Sequence, residues 1–102
     1  MKEYDLYLPL TDNEGEPFAA RMFRSVQNEL LSQFDGVTYF PQPNEGLWQS
    51  GGVTYHDDIV IYRVITPHTG KARRFFRAFK EKLMKDFGQL DLLIVERDVE
   101  TI

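Results

Sequence analysis

Residues 59–66, IVIYRVIT, are apolar at both parities of a strand, and this constrains the chain more than any other stretch. Side chains alternate across a strand, so Ile59, Ile61 and Ile65 share one face while Val60, Tyr62 and Val64 share the other. A strand of this kind belongs in a sheet covered on both sides. Arg63 falls on the Ile61 and Ile65 face, and an arginine withdrawn from water needs a carboxylate or an anionic ligand.

The remaining pattern supplies one cover. Residues 3–10, EYDLYLPL, alternate as a strand. From Pro17 to Phe34, the residues Phe18, Met22, Val26, Leu30 and Phe34 recur every four positions, with Ala19 and Phe23 widening the stripe. The spacing predicts a helix that starts with Pro17 in its first turn and ends at Asp35-Gly36, with Gly36 taking the left-handed cap. In a second helix over residues 71–87, Ala72, Phe75, Phe76, Phe79, Leu83 and Phe87 fall within roughly 120° of a helical wheel. Gly88 is its natural cap, and LDLLIVERDV, residues 90–99, reads as the last strand.

Between the helices lies GVTYFPQ, where Pro41, with Pro43 just after it, excludes an unbroken central strand and calls for an edge or a bulge. Gly51-Gly52 then suits a two-residue hairpin turn with positive φ angles. That turn sets Trp48 opposite Tyr55, and Phe40 opposite Arg63 if the proline segment adds no net bulge.

The order β-α-β-β-α-β matches a ferredoxin-like α+β domain: an antiparallel sheet with both helices on one face, spanning residues 1–102 as a single domain. The second sheet face stays apolar, and the expected cover is another copy, sheet on sheet, in a homodimer.

Charge and composition exclude several chemistries. The chain has 102 residues and no Cys, which removes disulfides and thiolate catalysis. His56 and His68 are its two imidazoles, without helical ligand spacing, so neither a metal nor another cofactor is expected. The first residues do not form a secretory leader and no apolar run reaches membrane length; the expectation is a cytoplasmic protein that does not engage a membrane. DFGQ, residues 86–89, follows a helix in a chain too short for a kinase. Tyr4-Asp5 is similar to the first strand of small dimeric nucleases, but Asp5 lies near the strand's start and the rest of that pattern is missing.

Net charge is −4 but uneven: residues 71–85 hold seven bases against one acid, a net +6, leaving −10 elsewhere. The bases oppose the helix's apolar stripe. A ferredoxin-like RNA binder instead uses a positive, aromatic sheet face, so nucleic acid is the less favoured partner and an acidic protein partner the better one.

The candidate ligand residues are Tyr39, Trp48, His56, Asp58, Arg63 and Gln89, where the hairpin meets the sheet. Trp48 serves as a packing anchor if buried and as an interface or stacking residue if exposed. His56 and Asp58 share a strand face. The bland reading of this stretch is a polar hairpin; the sharper ones give it a small anionic ligand or, as an enzyme of the dimeric α+β barrel kind, His56 as acid/base and Arg63 as anion clamp.

Four landmarks together resemble a family of small uncharacterised bacterial α+β domains: Gly36-Val37-Thr38, Gly46-Leu47-Trp48, Asp57 or Asp58, and Phe87-Gly88-Gln89. The match spans about residues 36–95, with Val37 in place of that family's usual Leu and Asp in place of Glu. The resemblance implies the fold and carries no activity with it. The leading functional expectation is a non-catalytic homodimer that binds a small ligand or another protein, with nucleic-acid binding through residues 71–85 as a further alternative.

Overall fold

The computed structural model describes residues 1–102, the side chain of Gln42 excepted. Its elements are β1 (Lys2–Pro9), α1 (Ala20–Phe34), β2 (Thr38–Ser50), β3 (Val53–Thr66), α2 (Thr69–Asp86) and β4 (Ile94–Asp98). The four strands form one sheet in the order β2-β3-β1-β4, with every neighbouring pair antiparallel. β3 is therefore interior, as its two-sided apolar pattern requires, while proline-bearing β2 lies at an edge.

One face packs on the helices. Tyr4, Leu6 and Leu8 of β1 stand opposite Val64, Tyr62 and Val60 of β3, and all six are buried. Val26 and Leu30 of α1 close over them together with Ala72, Phe76, Phe79 and Leu83 of α2. The aromatics interlock: Tyr4 stacks on Phe76 at 4.5 Å, and Phe34 of α1 contacts Phe75 and Phe76 of α2 at 5.3 and 5.4 Å. Each large apolar side chain buried here contributes about 1.5–3 kcal/mol relative to its exposed state.

Several local expectations are displaced, each for a physical reason. α1 begins at Ala20 and not at Pro17, because Pro17 is held in a bridge to Thr11 and the Asp12 carboxylate gathers the turn, accepting from the Glu14 and Glu16 N–H groups. Asp35, at φ 60°, takes the left-handed cap expected of Gly36; Asp tolerates that region better than most side chains. At the end of α2, Gly88 (φ +59°) does turn the chain. The Gln89 N–H donates to the Met84 carbonyl and the Gly88 N–H to that of Lys85, a Schellman closure. The segment then buries Leu92 and leaves Leu90 in solvent, so β4 starts only at Ile94.

The hairpin turn at Gly51 and Gly52 has φ angles of 58° and 80° and sets Trp48 opposite Tyr55, as the Gly pair predicts. The register shifts between Phe40 and Asn44, where β2 carries two more residues than β3. Phe40 therefore faces Ile61, and Thr38 faces Arg63. An excess of two preserves the inward and outward alternation, so the hairpin keeps the faces of the sheet below it.

β1 pairs with β3 only as far as Ile59. Residues 44–58 consequently run on as a two-stranded arm whose residues pair with one another (Asn44 with Ile59 at its base), an extension of roughly 23 Å at strand rise.

Candidate functional site

The face of the sheet turned away from the helices carries its most unusual chemistry. Asp5 on β1 lies opposite Arg63 on β3, and Glu3 opposite Arg97 on β4. Arg63 Nε donates to Asp5 Oδ1 at 2.8 Å and Nη2 to Oδ2 at 3.0 Å, a bidentate fork; Nε also lies 3.1 Å from Glu3 Oε1. Arg97 Nη1 donates to Asp5 Oδ2 at 2.9 Å and to Glu3 Oε2. Two carboxylates and two guanidiniums thus form an electrically neutral group on neighbouring strands.

No helix covers this face, yet Asp5 is only 1% exposed and Glu3 only 7%, because the arginine side chains lie over them. Burial pushes the Asp5 carboxyl up, but the guanidiniums of Arg63 and Arg97 more than offset this and hold it below the ordinary aspartate value. Arg63 also lies over the Phe40 ring, 5.1 Å from its centroid. Ile65 and Phe40 are exposed on the same face, Tyr7 and Ile61 are half-buried, and Leu93 is exposed just before the start of β4. A shallow recess of about 280 Å³ opens at one edge, lined by Gly36, Val37, Thr38, Arg63 and Ile65.

The arm has its own pattern. Trp48 and Tyr55 stack at 4.4 Å with planes 17° apart, and the Trp48 indole N–H donates to Asp57 Oδ2 at 2.9 Å. By register these three lie on the side continuous with the open face. On the other side His56 Nδ1 lies 3.1 Å from Glu45 Oε1, and Glu45 stands directly opposite Asp58. Trp48 is 50% exposed, so it is not the buried anchor of the packing alternative.

The six candidate ligand residues do not gather at one point. Trp48, His56 and Asp58 share the arm but divide between its two sides. Tyr39 stacks on Tyr62 at 4.6 Å on the helix side of the edge strand. Gln89 folds back locally, its Nε2 donating to the Phe87 carbonyl. Arg63 is on the open face, and the carboxylate its position demands is Asp5. His56 and Arg63 lie seven positions apart on one strand, about 23 Å, and on opposite sides. They cannot act on one substrate group within a single copy. Among the described residues no group of three or more His, Cys, Asp or Glu side chains could hold a metal ion.

The members of this face missing from the sequence-based set are Glu3, Asp5 and Arg97. Their alternation along β1 and β4 placed them on a common face, but only the β1–β3 and β1–β4 registers bring them to Arg63.

On the helix side a second network binds α2 to β4. The Tyr4 hydroxyl donates to Glu96 Oε1 at 2.5 Å, and Arg73 Nη2 donates to Glu96 Oε2 at 2.5 Å. Arg73 first, and then Tyr4, holds the Glu96 carboxyl down to about 2. Lys80 pairs with Asp91 and Lys82 with Asp86.

The architecture so far defines a small α+β domain, an antiparallel sheet with two helices on one face. Solved structures place it further. A phage SAM lyase, solved in complex with S-methyl-5'-thioadenosine, superposes with a TM-score of 0.72 over 95% of this chain and 80% of its own, at 10% identity. CutA1 from Pyrococcus horikoshii OT3 superposes with a TM-score of 0.63 over 100% of this chain and 86% of its own, at 13% identity. Both neighbours have folds of the ferredoxin-like type, and at these identities the likeness concerns the fold alone. No family model and no curated protein matches the sequence. No helix is long and apolar enough to cross a membrane.

Proposed function

We propose that the protein is a non-catalytic, ferredoxin-like binding domain of the cytoplasm that works as a homodimer joined through its open sheet face. The observation that carries this reading is the neutral Glu3–Asp5–Arg63–Arg97 group, lying without a covering layer among Phe40, Tyr7, Ile61, Ile65 and Leu93. A charged or strongly polar face would repel its own copy or remain hydrated. A face that is neutral in sum and apolar around its charges is self-compatible under a two-fold axis.

Four strands at ~4.8 Å spacing and eight residues of ~3.3 Å rise give a face of roughly 500 Å² in projection. With side-chain relief, this approaches the roughly 800 Å² per partner of a stable interface. Arg63 Nη1 and Arg97 Nη2 make no hydrogen bond among the described residues, and the recess beside Arg63 opens at the rim. Those donors suit a small anionic ligand or a carboxylate of a protein partner. The separation of His56 from Arg63 is what favours binding over catalysis. The Gly36-Val37-Thr38 landmark of the bacterial family it resembles borders the same recess.

Sedimentation velocity tests the reading. The wild-type protein is expected to be dimeric at micromolar concentration. Ile61→Lys or Ile65→Lys, each adding a charge to the face, is expected to give a monomer with unchanged circular dichroism. A wild-type monomer overturns the dimer.

A further inference from the structure

The outer face of α2 is exposed and strongly basic, and the β2–β3 arm is exposed and carries no Lys or Arg at all. We propose that the outer face of α2 is a docking surface for the β2–β3 arm of a second copy of this chain. This contact is separate from the sheet-face dimer and does not depend on it.

Of the seven bases in residues 71–85, Arg73, Lys80 and Lys82 are committed to Glu96, Asp91 and Asp86. Lys71, Arg74, Arg77 and Lys85 make no ion pair among the described residues, and all four are exposed. They extend over fourteen helical steps, about 21 Å. The arm is about 23 Å long by strand rise, so the two elements match in length.

Their chemistry also matches. One side of the arm offers Glu45 and Asp58, set directly opposite one another with His56 Nδ1 3.1 Å from Glu45 Oε1; a strand ladder disfavours such a like-charge pairing unless cations lie nearby, and the free bases of α2 supply them. Ala78, one turn beyond Arg74 on the exposed side of α2, leaves room there for the arm to approach. The arm continues the strands of the sheet away from the body, which directs it to another molecule. Because arm and helix are different surfaces, two copies can exchange arms reciprocally about a two-fold axis, or several can join head to tail and close a ring.

A charge swap tests this. Arg74→Glu/Arg77→Glu on the helix and Glu45→Lys/Asp58→Lys on the arm alter exposed side chains only. Both are made in wild type and in the Ile61→Lys background, with circular dichroism confirming the fold. Sedimentation at low salt is expected to show each variant alone associating at least tenfold more weakly than its parent. A one-to-one mixture of the two is expected to recover association, since reversed arm meets reversed helix and native arm meets native helix. Association in the parent should weaken steeply with added salt.

Variants that associate like their parent, or a mixture that fails to recover, overturn the proposal. So does nucleic acid that copurifies with wild type and is lost with the helix variant but kept with the arm variant. Persistence of the swap behaviour in the Ile61→Lys background separates this contact from the sheet-face dimer, and failure of either leaves the other standing.

Discussion

At the scale of single residues, Asp5 is the side chain on which the open face depends. It satisfies two guanidiniums from different strands, so Asp5→Ala leaves both over a surface with Glu3 as the remaining acid. The expected loss is about 3 kcal/mol of folding stability, measured by urea denaturation. The acid limb of stability follows from the same chemistry. Asp5 and Glu96 both have carboxyls held below their ordinary values in the folded protein, Glu96 at about 2. The contribution of Glu96 is complete above the unfolded value near 4.5 and disappears as pH falls toward 2, and that of Asp5 is lost in the same direction, as pH falls below the ordinary aspartate range. Thermal melts across that window should show a declining Tm, with a shallower decline in Glu96→Gln. What the sequence revealed at this scale was a need: Arg63, on an apolar strand face, required an acid. It did not reveal which acid, because Asp5 is 58 positions away and a register between distant strands is decided by the packing of the whole sheet. Trp48 and Tyr55 were different, since the adjacent Gly51-Gly52 turn settles their pairing locally.

At the scale of elements, both helices and the central strand were legible because their apolar periods are long and uninterrupted, while their ends were governed by competing local chemistry. Pro17 suited the first turn of a helix, but the Asp12 turn and the bridge to Thr11 claimed it first. Gly36 was the natural left-handed cap, yet Asp35 holds that conformation. The two C-terminal turns therefore respond oppositely to substitution. Gly88→Ala places a Cβ at a positive φ and is expected to cost about 1 kcal/mol, whereas Asp35→Gly relieves one and is expected to gain up to about 1 kcal/mol. Paired denaturation curves check both. The proline segment was legible as an edge or a bulge and is both; its excess of two residues over β3 could not be counted without the partner strand.

At the scale of the whole molecule, shape reports what element order alone leaves open. The radius of gyration is 14.1 Å, against about 12.8 Å for a compact domain of this length, and the long dimension is 41 Å. The excess belongs to the arm. That two-sided ribbon has a consequence in time as well as in space. The amides of residues 53–58 lie beyond β1 and beneath no helix, so opening them exposes almost no additional apolar surface, whereas opening β1 requires the core to come apart. Hydrogen exchange should divide the protein into two clocks, with arm amides exchanging through local openings and β1 amides only through global unfolding. If a second copy captures the arm, the fast clock should slow with protein concentration while the slow one keeps its rate.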